Sequence, residues 1–66
     1  MKFRKGKKVR ALKSLYSLEA GGYVIFARRG DVATIVMPVR SSSKILTVNF
    51  GQTRDYVVGK EEVEPE

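Results

Sequence analysis

The sequence predicts an all-β domain of the small-barrel type, and three observations lead to that prediction. From Tyr23 onward, short runs rich in Val, Ile, Thr, Tyr and Phe follow one another. Glycines and polar residues typical of turns separate these runs. The chain has 66 residues, enough for one hydrophobic core and no more. We therefore expect one all-β domain, a single five-stranded barrel that follows a basic N-terminal arm.

Five strands are predicted from these runs, at residues 9–14, 23–28, 31–39, 44–50 and 54–58, with a closing stub at residues 62–64. The window of residues 9–18 also spaces its apolar side chains in a way that permits one short helix. Pro38 indicates a strand edge or a bulge, because proline donates no hydrogen bond to a neighbouring strand.

Alternation of side chains predicts which faces of two strands point to the core. In the fourth strand, Leu46, Val48 and Phe50 share one face and are expected inside. In the third strand the corresponding set is Ala33, Ile35 and Met37. Phe26 is also expected in the core.

The chain contains neither histidine nor cysteine. General acid–base and thiol chemistry usually draw on these residues, so we expect no enzymatic activity. The glutamate-rich residues 60–66 are typical of a solvated, partly disordered end, and we predict no metal and no cofactor. The lack of cysteine and of any long apolar run favours a cytoplasmic protein without membrane association.

Charge is distributed unevenly along the chain, whose net charge is +6. Residues 1–13 hold seven Lys or Arg and no acid, whereas residues 60–66 hold four Glu and one Lys. A basic segment attracts polyanions such as nucleic acid, or an acidic protein face, and its plain alternative is a solubilising tail. We therefore divide the chain into a basic arm (residues 1–7), a barrel domain (residues 8–64) and an acidic tail end (residues 65–66).

Several short stretches occur in a recognisable order along the chain. They are Val9-Arg10-Ala11-Leu12, an excursion over residues 15–23, Phe26-Ala27-Arg28-Arg29-Gly30-Asp31, a distal turn at residues 49–54, and a closing stretch over residues 56–65. This order resembles a Src-homology-3-type barrel and spans most of the chain. Peptide-binding members of that superfamily grip polyproline with a tryptophan, and this chain has no Trp. The layout is also similar to basic single-barrel members of the superfamily. These include barrels of the KOW type and small accessory subunits of redox complexes, so the resemblance implies a non-catalytic binding role.

The candidate binding surface for nucleic acid or an acidic partner combines the basic arm with cations of the later loops. Tyr16 and Tyr23 flank two glycines and are expected at the surface, where their rings can stack on bases. The candidate residues are Lys2, Arg4, Lys5, Lys7, Lys8, Arg10, Lys13, Tyr16, Tyr23, Arg28, Arg29, Arg40, Lys44 and Arg54.

Three functions remain open at this point. The first is nucleic-acid binding through phosphate contacts. The second is an accessory subunit of a larger assembly, such as a redox complex, that docks on an acidic partner face. The third is a phage- or plasmid-type accessory protein that forms a homodimer through an uncovered strand edge at Ile45, Thr47 and Pro38.

Overall fold

The computed structural model describes residues 3–66 and confirms the all-β class. Its seven strands are β1 (Lys8–Ala11), β2 (Leu15–Glu19), β3 (Gly22–Ala27), β4 (Val32–Ile35), β5 (Ile45–Asn49), β6 (Tyr56–Gly59) and β7 (Val63–Pro65), and one 3₁₀ helix, Lys60–Glu62, precedes β7. A five-stranded antiparallel sheet has the order β6-β5-β4-β1-β7, and β2 pairs with β3 in a second sheet. Neither sheet closes on itself. Within residues 3–66, no helix has the length and apolar character needed to cross a membrane.

One face of the five-stranded sheet forms the core, because alternate side chains of each strand point to the same side. β5 buries Leu46 and Val48, as the alternation predicts, and Phe50 packs against the core from its margin. Phe26 is buried as expected. The buried apolar residues are Val9, Ala11, Leu15, Phe26, Ala27, Ala33, Ile35, Leu46, Val48, Val58 and Val63.

Residues 9–18 form parts of two strands rather than a helix. β1 ends at Ala11, whose amide donates to the carbonyl of Asp31, and the next amide, of Leu12, donates to the carbonyl of Glu62. The excursion predicted over residues 15–23 contains β2, which pairs antiparallel with β3. Asp31 and Glu62 are distant in sequence from residues 9–18, so local spacing could not indicate these contacts.

The third predicted strand, residues 31–39, ends early. Ala33 and Ile35 are buried as predicted, but Met37 is 54% exposed, so its predicted place in the core is wrong. The amide of Val36 makes one more bond, to the carbonyl of Thr47 (3.0 Å). Pro38 then lies in the loop between β4 and β5 rather than at a strand edge or bulge.

The uncovered strand edge predicted for a homodimer at Ile45, Thr47 and Pro38 is wrong. β5 lies between β4 and β6, so Ile45 and Thr47 are on an interior strand of the sheet.

Both described ends of the chain are tied to β1 and β4. The amide of Gly6 donates to the carbonyl of Ile35 (2.7 Å), and the amide of Ile35 donates to the carbonyl of Lys7 (2.9 Å). At the other end, β7 pairs with β1, and the amide of Glu66 donates to the carbonyl of Lys8 (3.0 Å). The glutamate-rich residues 60–66 therefore form the 3₁₀ helix and β7, contrary to the partly disordered end expected from their composition.

The β2–β3 hairpin is joined to the five-stranded sheet by aromatic contacts. The Phe26 ring stacks on Tyr56 of β6 with 4.1 Å between centroids, and it meets Phe50 edge-on at 6.0 Å. The side-chain amide of Gln52 donates to the Phe26 carbonyl (3.3 Å). The hairpin is thus held at its base by β6, by the loop between β5 and β6, and by its buried Leu15 and Ala27.

Candidate functional site

Three segments that are distant in sequence meet beyond the end of β4. The Lys60 amide donates to the carbonyl of Lys44 (2.9 Å), and the Lys60 Nζ donates to the carbonyl of Arg40 (3.0 Å). The same ammonium lies 6.0 Å from the ring centroid of Phe3, at the outer limit of a cation–π contact. Phe3 packs against the core. The N-terminal segment, the β4–β5 loop and the 3₁₀ helix are therefore neighbours.

Six basic side chains belong to these three segments, and we call them the basic surface. They are Arg4, Lys5, Lys7, Arg40, Lys44 and Lys60. All are exposed except Lys60, which is half-buried. Within residues 3–66, none of the six forms an ion pair. Their charges are consequently available to an anionic ligand.

The first three cations are positioned by a tight turn. The amide of Lys7 donates to the carbonyl of Arg4 (3.0 Å), and Gly6 between them has φ +89°, a conformation that side chains with a Cβ rarely adopt. The Gly6 amide donates to the Ile35 carbonyl and the Lys7 carbonyl accepts from the Ile35 amide, so this turn is held against the end of β4. The turn therefore presents its cations from a fixed backbone.

A hollow of about 220 Å³ opens between the β4–β5 loop and the 3₁₀ helix. Two serines and two lysines line it together with one acid; they are Ser41, Ser43, Lys44, Lys60 and Glu61. The Ser43 hydroxyl donates to the Ile45 carbonyl (3.2 Å). The Ser41 hydroxyl and the ammonium groups are donors that suit phosphate oxygens. Glu61 opposes an anion here, so phosphates are favoured on the lysine side of the hollow.

Three other predicted site cations are paired with glutamates. The pairs are Arg10 with Glu64 (3.7 Å) and Glu66 (3.9 Å), Lys13 with Glu62 (3.7 Å), and Arg54 with Glu19 (2.7 Å). Exposed pairs of this kind contribute little to stability. They do reduce the local positive charge, because each cation has an anion within 4 Å. The acidic end of the chain thus offsets the charge at and beyond the end of β1.

The pair between Arg54 and Glu19 is the shortest of these contacts and joins the β5–β6 loop to the hairpin. The Arg54 guanidinium donates to the Glu19 carboxylate and lies 5.2 Å from the Tyr56 ring centroid. That bond, with a second from the Ser17 hydroxyl (3.1 Å), lowers the pKa of Glu19, and Glu19 raises the pKa of Arg54. Arg54 is therefore occupied by an intramolecular contact.

The remaining predicted cations lie in the turn before β4, directly after Lys7, or outside the described residues. Arg28 and Arg29 occupy the turn before β4, which is closed by hydrogen bonds between Arg28 and Asp31 (both 2.9 Å). This turn lies at the opposite end of the β1–β4 pair from Lys7 and Ile35. The exposed Lys8 begins β1, and Lys2 lies outside residues 3–66. The loop arginines do not converge on one face.

The two predicted tyrosines are exposed, as expected, but lie on the hairpin rather than beside the basic surface. Tyr16 and Tyr23 line a shared apolar hollow of about 270 Å³.

Lys60 is the basic-surface residue that sequence reasoning missed, because it was grouped with the four glutamates that follow. Its place directly after β6 was the available signal, since the end of one strand of an antiparallel pair lies beside the start of the other, here next to Lys44.

Comparison with known proteins adds no further constraint on this site. No protein-family model matches the chain, and no curated protein or solved structure is significantly similar to it.

Proposed function

We propose that this protein is a small, non-catalytic module that binds the phosphate backbone of nucleic acid at the basic surface. The observation that carries the proposal is the gathering of six cations without an ion pair within residues 3–66, while Arg10, Lys13 and Arg54 are paired. Lys and Arg that neutralise phosphates release counterions, which supplies affinity. Phosphate contacts carry no base identity, so little sequence specificity is expected.

We also propose that the module is a Src-homology-3-like barrel. The support is the order of its elements: β1, an excursion that carries the β2–β3 hairpin, a turn into β4, a loop, the β5–β6 hairpin, and a 3₁₀ helix before a short last strand. Folds of this kind host many binding functions. The topology therefore supports a binding role without selecting the ligand.

A salt titration with matched variants tests nucleic-acid binding. Fluorescence anisotropy would follow labelled single-stranded and duplex oligonucleotides between about 50 and about 200 mM salt. R40Q/K44Q removes two cations of the basic surface, and R10Q/K13Q removes two paired cations, so the net charge falls equally. We expect the first variant to bind about tenfold more weakly, with a salt slope smaller by about two, and the control to stay within about twofold of wild type.

Two results would overturn this proposal. One is the absence of binding at low salt, and the other is an equal loss in both variants, which would indicate a response to net charge alone. Poly-glutamate of matched charge distinguishes the ligand class, because an acidic protein face would present carboxylates to the same cations. Binding of poly-glutamate as tight as that of the oligonucleotide would contradict the nucleic-acid assignment.

A further inference from the structure

The β2–β3 hairpin presents one wholly apolar face to solvent. Directly opposed residues of an antiparallel pair lie on the same face, and the register pairs Tyr16 with Ile25 and Leu18 with Tyr23. The exposed fractions are 59% for Tyr16, 40% for Ile25, 69% for Leu18 and 75% for Tyr23. The largest contiguous apolar patch on a monomeric protein usually measures about 300–600 Å² and often marks an interaction site. This face is therefore a candidate interaction surface.

The opposite face of the hairpin contacts the rest of the molecule in part, although Val24 on that face is 50% exposed. Glu19 is bound by Arg54, and the buried Phe26 stacks on Tyr56. These contacts hold the hairpin by this opposite face against β6 and the β5–β6 loop. The apolar face therefore points away from the protein core and stays uncovered. The face is available to a second molecule without rearrangement of the fold.

The hairpin is also the uncharged part of a strongly basic chain. Residues 14–27 contain one charged side chain, Glu19, which is already ion-paired. The remaining residues carry thirteen basic and six acidic side chains, a net charge of +7. Two copies of the chain repel each other over most of their surfaces. The hairpin faces are where two copies can meet without bringing like charges together.

We propose that two copies of this chain form a dimer through the outward faces of their hairpins. A two-fold axis would pack Tyr16, Leu18, Tyr23 and Ile25 of one copy against the same residues of the other. If a fully open tyrosine presents about 200 Å², the four side chains expose roughly 500 Å² per copy. The dimer then buries about 1,000 Å², the lower limit of a specific interface, so a micromolar association is expected.

The proposal goes beyond the nucleic-acid function and does not depend on it. Analytical ultracentrifugation of the full chain over a concentration series should show a monomer–dimer equilibrium. L18K/Y23K places two charges on the face and should raise the dissociation constant about 100-fold. The matched control is I45K/V57K, which adds the same charge at exposed apolar residues of the five-stranded sheet and should leave the dimer intact. Circular dichroism would verify that both variants are folded.

Cross-linking provides a second test that does not depend on disrupting the dimer. The native chain has no cysteine, so L18C carries a single thiol on the apolar face, and I45C carries one on the five-stranded sheet. A bismaleimide should link two copies of L18C and leave I45C monomeric.

Sedimentation as a monomer at millimolar concentration, equal dissociation in both lysine variants, or cross-linking of I45C in place of L18C would overturn the proposal. R40Q/K44Q should dimerise like wild type, which separates this test from that of nucleic-acid binding. Added salt should not weaken the dimer, since it screens the repulsion between copies.

Discussion

The basic surface and the β2–β3 hairpin differ in how they are held and in what they expose. Backbone hydrogen bonds to Ile35 and Lys44 build most of the basic surface, and the Lys60 ammonium adds a bond to the Arg40 carbonyl. Side-chain contacts of Phe26 and Arg54 hold the hairpin, and the side chains of its other face are apolar. The difference shows how a chain with one small core can keep an electrostatic contact surface and an apolar one apart.

That separation has a physical advantage for both surfaces. Six cations beside the apolar patch would draw polyanions to it, and the patch would discriminate less between apolar and anionic partners. A cation beside Glu19 would be neutralised, as Arg54 is. The two regions extend from opposite ends of the β1–β4 pair, so changes in one should leave the other unaltered. Four predictions test this independence, from the largest expected effect to the smallest.

Removal of the Phe26 ring should produce the largest effect, because it joins the hairpin to the five-stranded sheet. F26A deletes the stack on Tyr56 and the edge contact with Phe50 and leaves a cavity. Large-to-small changes at buried aromatic residues cost about 3–5 kcal/mol, comparable to the whole stability of a core this small. Urea denaturation should show an unfolded or nearly unfolded chain, whereas F26L should lose much less. A fully stable F26A would mean that the hairpin is not part of the cooperative unit.

Local patterns predicted the strands whose faces alternate, and tertiary contacts decided the rest. The inward faces of β4 and β5, at Ala33, Ile35, Leu46 and Val48, followed from a period of two. The prediction that Met37 lies in the core was wrong because β4 ends before Pro38 and the chain leaves the sheet there. The pairing of β2 with β3 was missed because its residues also fitted a helical spacing.

The candidate site was predictable in composition but not in arrangement. The basic run at the N-terminus predicted Arg4, Lys5 and Lys7 as binding residues, and all three are exposed. Sequence could not show that Arg10 is paired with glutamates of β7 and beyond, because that pairing depends on a strand contact between the two ends of the chain. Lys60 joined the surface through the same kind of distant contact.

Asn49 provides a test of how the β5–β6 loop supports the hairpin. Its amide nitrogen donates to the carbonyls of Gln52 (2.9 Å) and Arg54 (3.3 Å), and its oxygen accepts from the Gly51 amide (2.7 Å). N49A should cost about 1–2 kcal/mol in urea denaturation, because several loop groups lose their partner. Hydrogen exchange should increase in the hairpin and remain unchanged at Lys7 and Ile35. Equal increases at both places would contradict independent anchoring.

Measurement of oligonucleotide binding by the hairpin variant tests directly whether the two surfaces are independent. L18K/Y23K should bind a short oligonucleotide, sized for one copy, within about twofold of wild type, since two added charges far from the ligand are largely screened at physiological salt. Anisotropy at about 150 mM salt measures this. A loss of about tenfold would place the hairpin in the nucleic-acid interface, with Tyr16 and Tyr23 as stacking residues. The baseline for this comparison is I45K/V57K, which carries the same added charge.

The ion pair between Glu19 and Arg54 should give the smallest effect, with a definite pH dependence. Arg54 lowers the pKa of Glu19 in the folded protein, so this carboxylate stabilises the fold at neutral pH and loses that contribution as the pH falls through its folded pKa. E19Q should therefore melt slightly below wild type at neutral pH, and the difference should vanish in acid. The effect is small because the pair is exposed to solvent.

The matched control is E61Q, which removes a carboxylate that makes no ion pair within residues 3–66. Its melting temperature relative to wild type should show no comparable decrease at neutral pH. High salt should shrink the E19Q difference by screening the pair. A difference that persists unchanged in acid would show that Glu19 holds the hairpin by its hydrogen bond from Ser17 or by packing rather than by charge.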